Sequence, residues 1–114
     1  MIKLPRGNTL YLEVTLTDAS GKPYRLGKKD YAVFTVKYRD NMRENPIIQK
    51  IIMPDDCGEN GELLIKLAPE DTVGIETGTY LYDLAVCIGG KDFYTAVVAS
   101  TFQVLPALGE MEVM

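Results

Sequence analysis

Gly78-Thr-Tyr80-Leu-Tyr82-Asp-Leu84-Ala-Val86-Cys-Ile88 runs directly into Gly89-Gly-Lys-Asp92, and a second apolar stretch then extends from Phe93 to Leu105. In the first segment Tyr80, Tyr82, Leu84, Val86 and Ile88 alternate with Leu81, Asp83, Ala85 and Cys87. Successive side chains of an extended backbone leave opposite faces, so a period of two predicts a strand with one face turned to a core. A Gly-Gly pair between two such runs is a tight hairpin signal. The return run is long enough for a strand with a bulge or break near Ala99-Ser100, and Pro106 ends it.

The same pattern recurs on the N-terminal side of this hairpin. Leu10, Leu12, Val14 and Leu16 alternate with Tyr11, Glu13 and Thr15; Ala32, Phe34, Val36 and Tyr38 alternate with Val33, Thr35 and Lys37; Leu63, Ile65 and Leu67 alternate with Leu64 and Lys66. Ile47-Ile-Gln-Lys-Ile-Ile52 is apolar at both parities, so its inward face stays open. Clusters of Asp, Gly, Asn and Pro at 18–23, 40–46 and 54–61 separate these runs as turns. Ala68-Pro-Glu-Asp-Thr-Val-Gly74 is the one helical signal, with Pro69 in its first turn, and it is one turn long. Six or seven short strands, with no amphipathic stretch of helical length between them, predict an all-β sandwich or barrel. One domain over residues 1–106, with a flexible tail at 107–114, accounts for the whole chain.

Composition narrows the function classes. A 114-residue chain with 46% hydrophobic and 25% charged residues can build a single core without staples. The net charge is −4, which argues against a nucleic-acid surface. Charge is uneven along the chain: residues 1–53 hold ten Lys/Arg against five Asp/Glu, and residues 54–114 hold two against eleven. Strands from both halves of a sandwich interleave, so this asymmetry is expected to disperse over solvated faces. Neither a signal peptide nor an 18-residue apolar span is visible, so synthesis in the cytoplasm and no membrane partner are expected.

Reactive chemistry has few candidates. With no histidine, acid–base work would fall to carboxylates, Lys, Tyr or Cys. Asp55, Asp56, Glu59 and Glu62 form one acidic cluster around Asn60, but they lack the alternating ligand spacing of a calcium loop and read as a solvated turn. Glu70 and Asp71 read as compensation of a helix N-terminus. Gly89-Gly90 has no following helix or Lys-Ser/Thr pair to cradle a phosphate. Cys57 and Cys87 are expected as free thiols, and two cysteines cannot assemble a zinc site. No catalytic, cofactor-binding or metal-binding residue is therefore expected, and no cofactor. Seven tyrosines raise a carbohydrate-binding alternative: Tyr80 and Tyr82 share the core parity, whereas Tyr11, Tyr31 and Tyr94 are the candidates for exposure.

Two longer motifs carry a resemblance. Gly7-Asn-Thr-Leu-Tyr-Leu-Glu-Val-Thr-Leu-Thr-Asp-Ala-Ser-Gly-Lys-Pro-Tyr-Arg-Leu26, followed by Ala32-Val-Phe-Thr-Val-Lys37, is similar to the opening of small immunoglobulin-like proteins of phages and prophages of Gram-positive bacteria. Leu67-Ala-Pro-Glu-Asp-Thr-Val-Gly-Ile-Glu-Thr-Gly-Thr-Tyr-Leu-Tyr-Asp-Leu84 resembles that family's second motif, and Phe102-Gln-Val104 its closing strand. The N-terminal domain of the phage baseplate upper protein is a looser relative. Asn8 and Arg25 stand where the family pattern has Asp. The resemblance implies an immunoglobulin-like antiparallel β-sandwich of six to seven strands with one short helical turn. It also implies a non-enzymatic, tail- or baseplate-associated virion component. Such a component would dock with itself, as a homo-oligomer, or with a larger tail or baseplate protein. An exposed strand edge would give that docking a mechanism, and Pro46 and Lys50 beside the Ile47–Ile52 run could mark one.

Overall fold

A computed structural model of the chain describes residues 1–38 and 45–107. Among the described residues seven strands form two sheets: β1 (Ile2–Pro5), β2 (Leu10–Thr15), β3 (Tyr31–Lys37), β4 (Ile48–Ile52), β5 (Glu62–Leu67), β6 (Gly78–Ile88) and β7 (Asp92–Leu105). A 3₁₀ turn at Pro54–Asp56 and the five-residue helix α1 (Pro69–Val73) complete the regular structure. The larger sheet has the order β1-β7-β6-β3-β4, and the smaller pairs β2 with β5. Strands from both halves of the chain thus interleave. The 40–46 turn lies mostly, and the 107–114 tail almost wholly, outside the described residues.

Alternation in the sequence becomes burial in the fold. Ala32, Phe34 and Val36 on β3 and Leu63, Ile65 and Leu67 on β5 are all buried, as are Tyr80, Leu84 and Val86 on β6. They meet Phe102 and Val104 of β7 in a single apolar cluster that joins the two sheets. Truncating either fully buried phenylalanine, Phe34 or Phe102, would cost about 3–5 kcal/mol. The ambiguous run is settled as well: Ile48 and Ile52 face inward, and Ile51 faces out. Tyr38 departs from its parity. It lies one residue past the end of β3 and is 54% exposed, edge-on to Tyr80 at 5.8 Å.

One expectation is corrected: the architecture is mixed, not wholly antiparallel. Ile2–Pro5 pairs in parallel with Phe102–Leu105, in a segment where the residue pattern had suggested no strand. The physical reason is that β1 and β2 belong to different sheets. No hairpin forces them antiparallel, so β1 lies along the open side of β7 in the same direction, and the Asn8 N–H then bonds the Pro5 carbonyl as the chain turns across to β2.

The connector helix is fixed by its own polar groups. The Asp71 carboxylate accepts the Ala68 N–H at 2.7 Å, and the buried Thr72 hydroxyl accepts the Gly7 N–H at 2.8 Å. Tyr80 donates from its hydroxyl to the Glu76 carbonyl at 2.6 Å, pinning the loop between α1 and β6 to the start of that strand.

Candidate interaction site

The β6–β7 hairpin turns through Gly89 and Gly90, whose φ of 64° and 74° favour glycine at both positions, and the Lys91 N–H bonds the Ile88 carbonyl. Pairing is regular from Ile88–Asp92 to Ala85–Thr95. It then slips: Leu84 faces Val97 and Tyr82 faces Ser100, so β7 carries extra residues over this stretch. The Ser100 hydroxyl donates to the Val98 carbonyl inside the irregularity. This is the bulge expected near Ala99-Ser100.

The two borders of the larger sheet differ. At one border β4 is guarded. Pro46 precedes it, and Lys50 shares the inward parity of Ile48 and Ile52 while its ammonium pairs with Asp71 at 2.9 Å. An inward-pointing charge is a recognised defence of a strand edge. At the other border β1 covers β7 only over Phe102–Leu105. Among the described residues no strand pairs with the outer side of β7 between residues 92 and 101. Phe93, Tyr94 and Val98 on this stretch are 62%, 61% and 72% exposed. No charged residue or proline occurs from Phe93 to Leu105.

Among the described residues nothing covers the outer face of the same sheet either. Tyr31, Val33, Ile51, Leu81, Ala85 and Phe93 border a shallow depression of about 640 Å³, with Lys37, Gln49 and Asp83 adding polar groups. Tyr31 and Phe93 meet edge-on at 6.2 Å, and both pair opposite Cys87, which is fully buried although it lies on the outward parity. Hydrogen bonding with the Cys87 thiol, then burial, pushes the ionisation of the Tyr31 hydroxyl upward.

One buried carboxylate holds the hairpin in place. Asp30 Oδ1 accepts the Gly89 N–H at 2.7 Å, while Oδ2 accepts the Tyr24 hydroxyl at 2.6 Å and the Gly27 N–H at 2.7 Å. The Tyr24 hydroxyl, followed by the two backbone N–H groups, holds the Asp30 carboxyl below the usual range. In return, Tyr24 is pushed up to about 12, first by that hydrogen bond and then by burial. Asp30 therefore ties the loop before β3 to the turn that ends β6.

The residues singled out in the sequence fall in separate places. Asp55 and Asp56 lie in the 3₁₀ turn and Glu62 opens β5. Among the described residues, no group of three or more His, Cys, Asp or Glu side chains is placed to hold a metal ion. Asp71 serves as the cap and ion-pair partner described above. Tyr11, Tyr31 and Tyr94 do not form one groove. Tyr11 is on the smaller sheet beneath the Lys66 ammonium, and Tyr94 pairs opposite Val86, on the other face of the larger sheet from Tyr31. Cys57 and Cys87 are both free and buried. Asp30 and Tyr24 were not singled out by sequence reasoning; the nearby Gly27 and Gly89 are the only local hint, and the link to Gly89 spans 59 positions. No helix among the described residues is long and apolar enough to cross a membrane, a statement about helices alone. Comparison with protein-family models, curated proteins and solved structures returns no match to this chain.

Proposed function

We propose that this chain is a non-enzymatic interaction module with an immunoglobulin-like β-sandwich fold, serving as a tail- or baseplate-associated part of a phage- or prophage-derived particle. The observation that carries the docking role is an apolar face of the larger sheet that no described residue covers, continuous through Phe93 with a stretch of β7 that no described strand pairs. Exposed apolar patches and open strand edges are the surfaces that proteins use to bind other proteins. The strand neighbours support the fold name: β7-β6-β3-β4 follow the order G-F-C-C′, and β2–β5 stand as B–E. The Tyr80 hydroxyl bonded to a carbonyl four residues upstream, at the start of the F-like strand, fits a tyrosine corner. The inter-sheet disulfide and buried tryptophan of antibody domains have no counterpart, since both cysteines are free and the chain has no tryptophan. The virion assignment rests on the two family-like motifs. On this reading the protein is made in the cytoplasm of the producing cell and leaves it within the particle.

The test is incorporation. Particles purified after induction of the strain that carries the gene should contain the chain by mass spectrometry, and an Ile51→Lys, Phe93→Lys variant that folds normally should be lost from them. Particles lacking the wild-type chain would refute the assignment. A second reading, a carbohydrate-binding module, draws on the outer-face depression, where Tyr31 and Phe93 stand beside Gln49, Asp83 and Lys37. Calorimetry against a glycan panel decides it: binding that is lost on Tyr31→Ala would favour this reading.

A further inference from the structure

We propose that the open stretch of β7 pairs with the same stretch of a second copy, antiparallel about a two-fold axis, so that the protein docks first with itself. This rests on the docking role above and names its first partner. A strand edge presents N–H and C=O groups that match those of an identical strand turned end for end. Such a contact is isologous: each copy uses the same patch, and one partner satisfies it. Opposed residues of a symmetric antiparallel pair share a face, so Tyr94 set opposite Tyr94 of the second copy places Phe93 opposite Thr95, which gives aromatic–aromatic and aromatic–β-branched neighbours across the pair.

Charge favours a second copy over a foreign strand. Each copy carries −4 overall, yet Phe93 to Leu105 bears no charge at all. Self-pairing here brings no like charges together at the contact. A foreign partner selected by charge would find nothing on this edge to read. The guarded border at β4 offers no equivalent, because Lys50 and its ion pair with Asp71 stand beside it.

Area sets the strength. A fully buried Phe or Tyr hides about 150–250 Å², so Phe93 and Tyr94, each about three-fifths exposed, offer roughly 100–150 Å² apiece. With Val98 and the small side chains between them, two copies would bury on the order of 1,000 Å², the lower bound of a specific interface. The expected dimer is weak and concentration-dependent. The bulge that begins after Thr95 limits regular pairing to the hairpin end of β7. Assembly therefore stops at two copies.

Analytical ultracentrifugation of the full chain, from micromolar to millimolar, tests this together with amide hydrogen exchange. The expected result is a monomer–dimer equilibrium whose protection at residues 93–96 rises with concentration. Added salt should strengthen it, because screening removes the net repulsion while no ion pair is lost. Tyr94→Lys with Thr95→Lys, both at exposed positions, should weaken association at least tenfold with thermal stability unchanged. If that pair misfolds, Val98→Lys should still weaken the dimer and Lys66→Glu, on the other sheet, should not. A wild-type chain that stays monomeric at millimolar concentration overturns the proposal, as does a dimer whose protection rises elsewhere or that weakens with salt. None of these results bears on whether the chain is present in particles, so the two readings fail separately.

Discussion

Replacing Asp30 with alanine should be among the most damaging substitutions outside the apolar cluster. The carboxylate accepts three hydrogen bonds of 2.6–2.7 Å, from the Tyr24 hydroxyl and the Gly27 and Gly89 N–H groups, and the residue is only 7% exposed. Hydrogen bonds to a charged group contribute about 1.5–3 kcal/mol each. Tyr24 is half-buried and Gly89 lies in an exposed turn, so both donors can recover water once the carboxylate is gone. That discount leaves about 3–4 kcal/mol for Asp30→Ala. For a chain of this length one kcal/mol corresponds to about 4 °C, so the midpoint should fall by about 12–16 °C. Asp30→Asn keeps the shape and one acceptor oxygen but turns an amide N–H toward a donor. It should cost about 2 kcal/mol.

Linkage gives the same prediction a second readout. The folded-state pKa of Asp30 lies below its unfolded value of about 3.9, so its contribution is whole above that value. It is lost as pH falls through about 3.9 toward the lower folded value, and Asp30→Asn should lack this part of the acid dependence. Tyr24 has the opposite sign. Its contribution is whole below about pH 10 and lost as pH rises toward about 12, where its phenolate absorbance should appear in the folded chain. Urea unfolding followed by fluorescence across pH measures both effects. An Asp30→Ala chain within about 1 kcal/mol of wild type, or an Asn variant with an unchanged acid limb, would refute the reasoning.

Gly61 has a φ of 80°, and a Cβ there would lie 2.6 Å from the Tyr24 carbonyl oxygen and 2.7 Å from that of Leu16. Gly61→Ala should therefore cost at least about 2 kcal/mol, read as a lower urea midpoint. Lys50→Ala removes a partly exposed ion pair and should change stability by less than about 1 kcal/mol. It also unguards the β4 edge, so light scattering on heating should show aggregation at lower protein concentration than for wild type. Cys57 and Cys87 should remain unreactive to a thiol reagent in the folded chain and both react in urea. An intact mass showing a native disulfide would contradict the structure.

Most strands were legible because burial follows a period of two that the sequence states directly. Ala32, Phe34 and Val36 announce an inward face, and so do Leu63, Ile65 and Leu67. β1 was not legible. Ile2–Pro5 is only four residues long, and its partner lies a hundred positions away, so no local pattern distinguishes it from a loop. Ile47 to Ile52 was ambiguous because apolar residues occupy both parities. Position in the sheet resolves it: β4 sits at the border, where Lys50 can point inward yet reach Asp71 at the rim. The Asp30 clamp was invisible for another reason. Its donors are backbone N–H groups and a phenol brought together by the hairpin turn, and an acceptor role of that kind leaves no spacing signature.

The borders of the larger sheet explain why the proposed docking edge is placed at β7. An edge strand must be guarded or used, since an unpaired row of backbone groups on an exposed apolar strand recruits other chains. At β4 the guards are in place: a proline before the strand, and a lysine on the inward parity held by Asp71. Along residues 92–101 of β7 no charge lies beyond Asp92, and the exposed Phe93, Tyr94 and Val98 would raise the risk of uncontrolled association. The bulge is the one restraint present there, and it interrupts the ladder without burying or charging it. Asp30 meanwhile anchors the adjoining turn rigidly through Gly89. A rigid, uncharged edge with a limited regular length combines what aggregation avoidance forbids with what specific pairing requires, and that combination is why β7, and not β4, is the border to test.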